Sequence, residues 1–189
     1  AAIFTFRGAN TLLAAADPQP PELRLPAVAH PVLMDVDLTI LPEQETFAGK
    51  VGIDLDLTGA TSFLWLNAHH LEIQSATLRA GGGESAVRIV AGGEDFAGFD
   101  FGREVPAGRV HLAIAYRGKL DAVETEGLFR QKDGDDWYVF SQFESTFARR
   151  AFPCFDEPTY RTHWKLTLHV KADQVAVSKT RCWPRTHSL

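Results

Sequence analysis

The sequence predicts an all-β fold, an antiparallel β-sandwich or an open barrel, and three observations support this prediction. Apolar residues recur at every second position in several segments, which is the period of a half-buried strand. Clusters typical of turns separate these segments, as at 81–83, 92–93 and 133–135. No segment keeps the 3.6-residue period of a helix for long, so parallel strands joined by crossover helices are not expected.

The same alternation places the strands in chain order. In the first long segment, Asp35, Asp37 and Thr39 separate the apolar residues, as expected for a strand with one solvated face. The long alternating segments are 32–40, 51–57, 110–116 and 164–170. Shorter apolar runs, which predict further strands between them, lie at 63–66, 71–78, 87–90 and 137–141.

Length and composition indicate one ordinary globular domain. The chain has 189 residues, of which 45% are hydrophobic, and this is enough to bury a core. The 19 Lys and Arg residues against 24 Asp and Glu leave a formal charge of -5, which disfavours a nucleic acid partner. All apolar stretches are shorter than the roughly 18 residues that a membrane span needs, so no membrane span is expected.

Residues 1–22 are predicted to be a tail outside the fold that ends in a proline-rich linker. The run LLAAA at 12–16 could be the end of a signal peptide with small residues at its cleavage site. Against this, Arg7 interrupts the short apolar region and position 1 is not Met. Two compartments therefore stay open: periplasmic or secreted if residues 1–16 are a signal remnant, and cytoplasmic otherwise.

No self-contained catalytic motif is present. The sequence lacks H-E-x-x-H, a Gly-rich phosphate loop, G-x-S-x-G and C-x-x-C. His69 and His70 are adjacent at a predicted strand end, so we expect their side chains to point to opposite faces and not to share a metal. His163 and His169 share a face but lie about 20 Å apart at strand spacing. Cys154 is expected to be a buried, unreactive thiol in an apolar setting.

The segment 142–158, QFESTFARRAFPCFDEP, breaks the alternation directly after a predicted strand. It contains two cations, three anions and four Phe residues. In a structural interpretation, Arg149 or Arg150 pairs with a carboxylate of the same loop, either Asp156 or Glu157. The Phe side chains then anchor the loop to the core.

Glu144 has a different expected role. It comes two residues after Gln142 at the strand end, so it can project away from the anchored part of the loop. A loop that its neighbours hold rigidly is a suitable place to display one carboxylate. Glu144 is therefore a candidate functional residue.

The same segment resembles the signature near the end of the amino-terminal domain of the aminopeptidase N family of zinc metallopeptidases. The resemblance extends upstream through residues 24–57, LWLNAHHLEI at 64–73 and GLFR at 127–130, and downstream to about residue 179. It implies a saddle-shaped antiparallel β-sandwich packed beside a thermolysin-like helical domain with H-E-x-x-H, a distant Glu ligand and a G-x-M-E-N loop. This chain contains none of those catalytic elements.

The resemblance also assigns roles to the loop. The Glu of the family's Q-x-E motif supplies a carboxylate to the free α-ammonium group of a peptide substrate, and it maps onto Glu144. The Gln at the start of that motif, here Gln142, lines the cleft wall near the first side chain. Zinc in the full-length enzyme activates the water and a Glu of the helical domain acts as general base. We therefore expect peptide substrates and a missing catalytic domain as partners, and neither zinc nor turnover in this chain alone.

The predicted organisation is a tail at 1–22, a β-sandwich at 23–178 and an atypical tail at 179–189. Two other functions stay open beside the aminopeptidase domain. One is a binding or scaffold protein that reuses the sandwich without a peptidase partner, since fold alone does not carry function. The other is a carbohydrate-binding module, suggested by Trp65 and Trp137, although aromatic residues in strands more often belong to the core.

Overall fold

The computed structural model describes residues 17–179, in which eleven strands fall into three sheets. The predicted all-β fold is confirmed, and the one helical element of the described part is a short 3₁₀ turn, Ala148–Arg150. Residues 1–16, which include the signal-like run, and residues 180–189 lie outside the described part. The strands are β1 (Ala29–Thr39), β2 (Thr46–Leu57), β3 (Thr61–Asn67), β4 (Glu72–Ala80), β5 (Gly83–Ala86), β6 (Arg88–Gly92), β7 (Phe96–Val105), β8 (Gly108–Lys119), β9 (Gly127–Asp133), β10 (Asp136–Gln142) and β11 (His163–His169).

The largest sheet has six strands in the order β11-β1-β2-β8-β4-β5. A three-stranded sheet has the order β3-β7-β6, and β9 and β10 form a separate hairpin. Neighbouring strands are antiparallel, with one difference from the expectation: β1 and β11 are parallel, with Met34 opposite Trp164. No crossover helix joins these two strands within the described residues, since the chain between them forms the other nine strands.

The core lies on the face of the large sheet that the alternation predicts. In β2, Val51, Ile53 and Leu55 are buried, and the side chains between them point to the solvated face. These residues belong to one buried cluster together with Leu64 and Phe99 of the three-stranded sheet. The two sheets therefore share a single core.

Tyr116 belongs to this core. It is fully buried on β8 opposite Gly49, where an added Cβ would lie 2.3 Å from the ring, so the close strand approach requires glycine. Its hydroxyl has no hydrogen-bond partner in the described structure, and burial raises the pKa of Tyr116 well above its ordinary value. Tyr116 therefore contributes packing and carries an unsatisfied polar atom.

Candidate functional site

The candidate site is the loop 142–158, which starts at the last residue of β10. Its first part is closed by a hydrogen bond from Phe147 N to the carbonyl of Phe143 at 3.0 Å, and the 3₁₀ turn follows. His69 N donates to the carbonyl of Arg149 at 2.9 Å, which ties the turn to the residues after β3. The loop is thus held at the end of the three-stranded sheet.

Arg149 and Asp156 form the ion pair that anchors the loop. The backbone N and Nε of Arg149 both donate to Oδ2 of Asp156, each at 3.1 Å. Arg149 Nη2 also donates to the Asp156 carbonyl at 3.0 Å. The side chains are 16% and 11% exposed, so the pair is largely shielded from water and holds both ends of the turn together.

Asn67 is a second anchor, which no sequence pattern indicated. It is fully buried at the end of β3, and its Oδ1 accepts the backbone N–H of Asp156 at 3.0 Å. Its backbone exchanges two hydrogen bonds with Cys154, at 2.9 and 3.0 Å. Cys154 is itself buried, and burial raises the pKa of its thiol well above the ordinary value, so it stays a protonated packing residue.

Arg150 has partners outside the loop. It contacts Glu124 at 2.6 Å and Glu126 at 2.8 Å, both in the connection between β8 and β9, and not Asp156 or Glu157. Its Cβ lies so close to Gly127 that an added Cβ there would be 2.5 Å away, and Gly127 also has φ of 69°. Arg150 therefore fastens the turn to the first residue of β9.

Glu157 is a backbone acceptor, not a partner of either arginine in the contacts of the described chain. Its Oε1 accepts the N–H of Leu25 at 2.6 Å. This bond ties the end of the loop to the residues that precede β1. The carboxylates of Asp156 and Glu157 thus both accept backbone N–H groups, and neither is an unpaired anion at the surface.

Three of the Phe side chains of the loop anchor it to the core, as the structural interpretation expects. Phe152 and Phe155 are each 7% exposed, and Phe143 packs edge-on against Phe152 with ring centroids 5.6 Å apart. Phe147 lies below Arg150, whose guanidinium carbon is 5.8 Å from the ring centroid. The aromatic side chains hold the loop from its inner side.

Gln142 and Glu144 point the other way. Both are exposed, on either side of the partly buried Phe143. Oε1 of Gln142 accepts the backbone N–H of Glu144 at 3.1 Å. The Glu144 carboxylate makes no ion pair with any residue from 17 to 179, and the Glu144–Ser145 peptide bond is cis. The loop therefore presents one unpaired carboxylate from an otherwise fastened segment.

The expected orientation of His69 and His70 is wrong. Their rings are in contact, with centroids 4.0 Å apart, because β3 ends at Asn67 and His70 has φ of 53°, so neither residue follows strand geometry. Nδ1 of His69 lies 2.8 Å from Oδ1 of Asp95. Within residues 17–179, no group of three or more His, Cys, Asp or Glu side chains is placed to hold a metal ion.

The aromatic residues suggested for carbohydrate binding do not form an exposed platform. Trp65 is only 4% exposed and packs against Phe63. Trp137 is half-buried beneath Arg130, whose guanidinium carbon is 4.3 Å from the ring centroid. The suggestion that Trp65 is an exposed ligand contact is therefore wrong, because its strand turns it into the core.

A cavity of about 830 Å³ lies between β10 and β11. Its apolar lining includes Val139, Phe143, Trp164 and Leu168. Neither Gln142 nor Glu144 lines it, so the two candidate residues lie outside this cavity on the exposed side of the loop. No helix of the described residues is long and apolar enough to cross a membrane.

Comparison with known proteins agrees with the resemblance. The family model described as Peptidase M1 N-terminal domain matches residues 30–188. This range runs into the segment 179–189, so the boundary at 178 stays a prediction.

The chain is 34% identical to Aminopeptidase M1-D of Oryza sativa subsp. japonica over 161 residues, which cover 83% of this chain and 18% of that protein. It is 34% identical to Aminopeptidase M1 of Arabidopsis thaliana, over 83% of this chain and 19% of that protein. It is 32% identical to Puromycin-sensitive aminopeptidase of Caenorhabditis elegans, over 82% of this chain and 17% of that protein. The chain thus spans less than a fifth of the length of these relatives, and it belongs to the M1 peptidase family, whose N-terminal domain it carries.

Proposed function

We propose that this chain is the N-terminal domain of a zinc-dependent aminopeptidase and that Glu144 anchors the α-ammonium group of peptide substrates. The observation that carries the proposal is the exposed, unpaired carboxylate of Glu144 on a loop whose other charged side chains are occupied. A carboxylate is the natural counter-charge for a free ammonium group, and a charge-assisted hydrogen bond to it discriminates against acylated amines.

The fastening of the loop supports this role. Arg149 and Arg150 hold the turn from two sides, and Asn67 holds its end. A recognition group must keep its position when the ligand binds, and a loop fixed by ion pairs and core contacts loses little conformational entropy at that moment. Gln142, beside Glu144, is the residue proposed to line the cleft wall near the first side chain of the substrate.

Zinc and the catalytic base are assigned to other parts of the full-length enzyme. The described residues do not fit a metal site, because their His, Cys, Asp and Glu side chains form no group of three around a common point. No step is therefore assigned to zinc in this chain, which contributes amine recognition and a cleft wall. The exposed side chains of Tyr138, Phe140 and Trp164 support the proposal that further polypeptide packs beside it.

The test compares wild type and Glu144→Gln in the full-length parent enzyme. The amide keeps the shape of the side chain but makes a neutral hydrogen bond about half as strong, so kcat/KM for dipeptide amides with a free amine should fall about tenfold. N-acetylated dipeptide amides lack the ammonium group and should be hydrolysed equally by both proteins. Glu84→Gln, which changes an exposed carboxylate on β5, is the matched control and should leave kcat/KM for both substrates unchanged.

An undiminished preference for free amines in Glu144→Gln would show that Glu144 is not the amine anchor. A parent reading frame without H-E-x-x-H would instead favour a non-catalytic peptide-binding module. Neither test depends on which first side chain of the substrate the enzyme prefers.

A further inference from the structure

The side chain of Gln142 is bonded to the backbone of Glu144. Gln142 ends β10, where its own backbone is paired with Gly127 of β9. Its Oε1 accepts the Glu144 N–H at 3.1 Å. Because a backbone N–H can only donate, the acceptor must be the oxygen, and this fixes which end of the carboxamide faces Glu144.

We propose that Gln142 is a positioning residue for Glu144, in addition to lining the cleft. This inference rests on the proposed function, since it takes Glu144 as the amine anchor. The role of Gln142 is to hold the backbone of Glu144 in a fixed position relative to the β9–β10 hairpin. Without the bond, the Glu144 N–H has no other partner among residues 17–179 and is left to water.

The neighbours of Gln142 make it a suitable fixed point. Gly127, opposite Gln142, packs directly on the Cβ of Arg150, which is held by Glu124 and Glu126. The backbone of Gln142 is therefore fixed from β9 and from the 3₁₀ turn together.

The residues after Gln142 are less constrained. Phe143 is anchored inward on Phe152, and the next backbone hydrogen bond within the loop is the one from Phe147 N to Phe143 O. Residues 144–146 lie between these two points, and in that stretch the bond to Gln142 is the hydrogen bond that restrains the Glu144 backbone. The direction of the Glu144 carboxylate then depends on the Gln142 carboxamide.

Two variants separate this role from a simple wall contact. Gln142→Met keeps the length of the side chain but removes the acceptor. Gln142→Asn keeps an amide oxygen, and Asn side chains readily accept the N–H two residues ahead, so it should restore the bond. Gln74→Met, at an exposed position of β4, is the matched control for the loss of a surface amide.

The first measurement is the NMR order parameter of the Glu144 amide in the 189-residue chain. We expect a value typical of ordered backbone, about 0.85, in wild type, Gln142→Asn and Gln74→Met, and a value below about 0.6 in Gln142→Met. Equal order parameters in all four proteins would overturn the proposal. This measurement needs no catalytic domain and does not depend on what Glu144 binds.

The second measurement is kcat/KM of the full-length enzyme on free-amine and N-acetylated dipeptide amides. Gln142→Met should lose about three- to tenfold on free amines, the range expected for one neutral hydrogen bond, and Gln142→Asn should recover most of that loss. Equal activity of the two variants would refute positioning. If Glu144→Gln leaves the preference for free amines intact, the proposed function fails, whereas the order parameters still decide whether Gln142 orders Glu144.

Discussion

Replacement of Asp156 by Ala is expected to lower the free energy of unfolding by about 2 to 3 kcal/mol. The substitution removes Oδ2, which accepts two hydrogen bonds of 3.1 Å from Arg149. Arg149 then keeps the Asp156 carbonyl as its partner, at 3.0 Å. Breaking a fully buried pair costs about 3 to 5 kcal/mol, and the remaining contact together with partial solvent exposure reduces that loss here.

Four further variants of the 189-residue chain make this prediction specific. Asp156→Asn keeps an acceptor but loses the charge, so about half of the loss is expected. Glu144→Ala removes an exposed carboxylate without an ion pair among the described residues and should stay within about 0.5 kcal/mol of wild type. Arg149→Met, alone and combined with Asp156→Ala, completes a double-mutant cycle, which isolates the energy of the side-chain pair.

Urea unfolding followed by far-ultraviolet circular dichroism measures these differences, and the corresponding fall in Tm for Asp156→Ala is about 4 to 12 °C. Equal losses in Asp156→Ala and Glu144→Ala would refute the division of the loop into anchoring and exposed residues. A coupling energy near zero between Arg149 and Asp156 would show that the stabilisation comes from elsewhere.

Three other perturbations test the remaining features. Tyr116→Phe removes a buried hydroxyl without a partner and should raise the unfolding free energy by about 1 kcal/mol. Burial raises the pKa of both Tyr116 and Cys154, so the stability that their protonated forms contribute is complete below the ordinary values of 10.0 and 9.0 and is lost as the pH rises above them. Urea unfolding between pH 7 and 11 should therefore show a shallower loss of unfolding free energy above pH 10 in Tyr116→Phe than in wild type. Gly127→Ala forces a side chain into a position with φ of 69° against Arg150 and should cost about 1 to 3 kcal/mol by the same assay, whereas Gly81→Ala, with φ of 61° and no close neighbour, should cost less. The isolated chain should retain no stoichiometric zinc after washing with a chelator and should not hydrolyse dipeptide amides, and metal analysis that finds one equivalent of zinc would contradict this.

Much of the fold follows from the alternation of apolar residues, because a half-buried strand has apolar residues on its buried face and polar residues on its solvated face, at every second position. β1, β2 and β8 are the clearest cases. The alternation does not predict β7, because β7 is buried on both sides over Ala97, Gly98 and Phe99 and polar residues do not alternate there. β5 is a short polar edge strand, and β9 loses its alternation at Arg130, which is buried although charged.

The contacts of the loop 142–158 can likewise be predicted only in part from the sequence. A pair between one arginine and one carboxylate of the loop could be anticipated, because opposite charges lie within one short segment. The sequence does not decide that the pair is Arg149 with Asp156. The partners of Arg150 could not be anticipated, since Glu124 and Glu126 lie in a connection without periodicity, before two further strands. Asn67 is separated from Asp156 by 89 residues, and its contact depends on how β3 and the loop meet in space.

The parallel pairing of β1 with β11 has a consequence for the synthesis of the chain. Asp37 and His169, which meet across this pair, are 132 residues apart, as are Leu25 and Glu157. At about 5 to 20 residues per second, the ribosome needs roughly 7 to 26 s to add that length. During this interval the outer edge of β1 is an unpaired strand with apolar side chains, a template for wrong strand pairing. The nascent domain is therefore exposed to aggregation until β11 has left the ribosome and covered that edge.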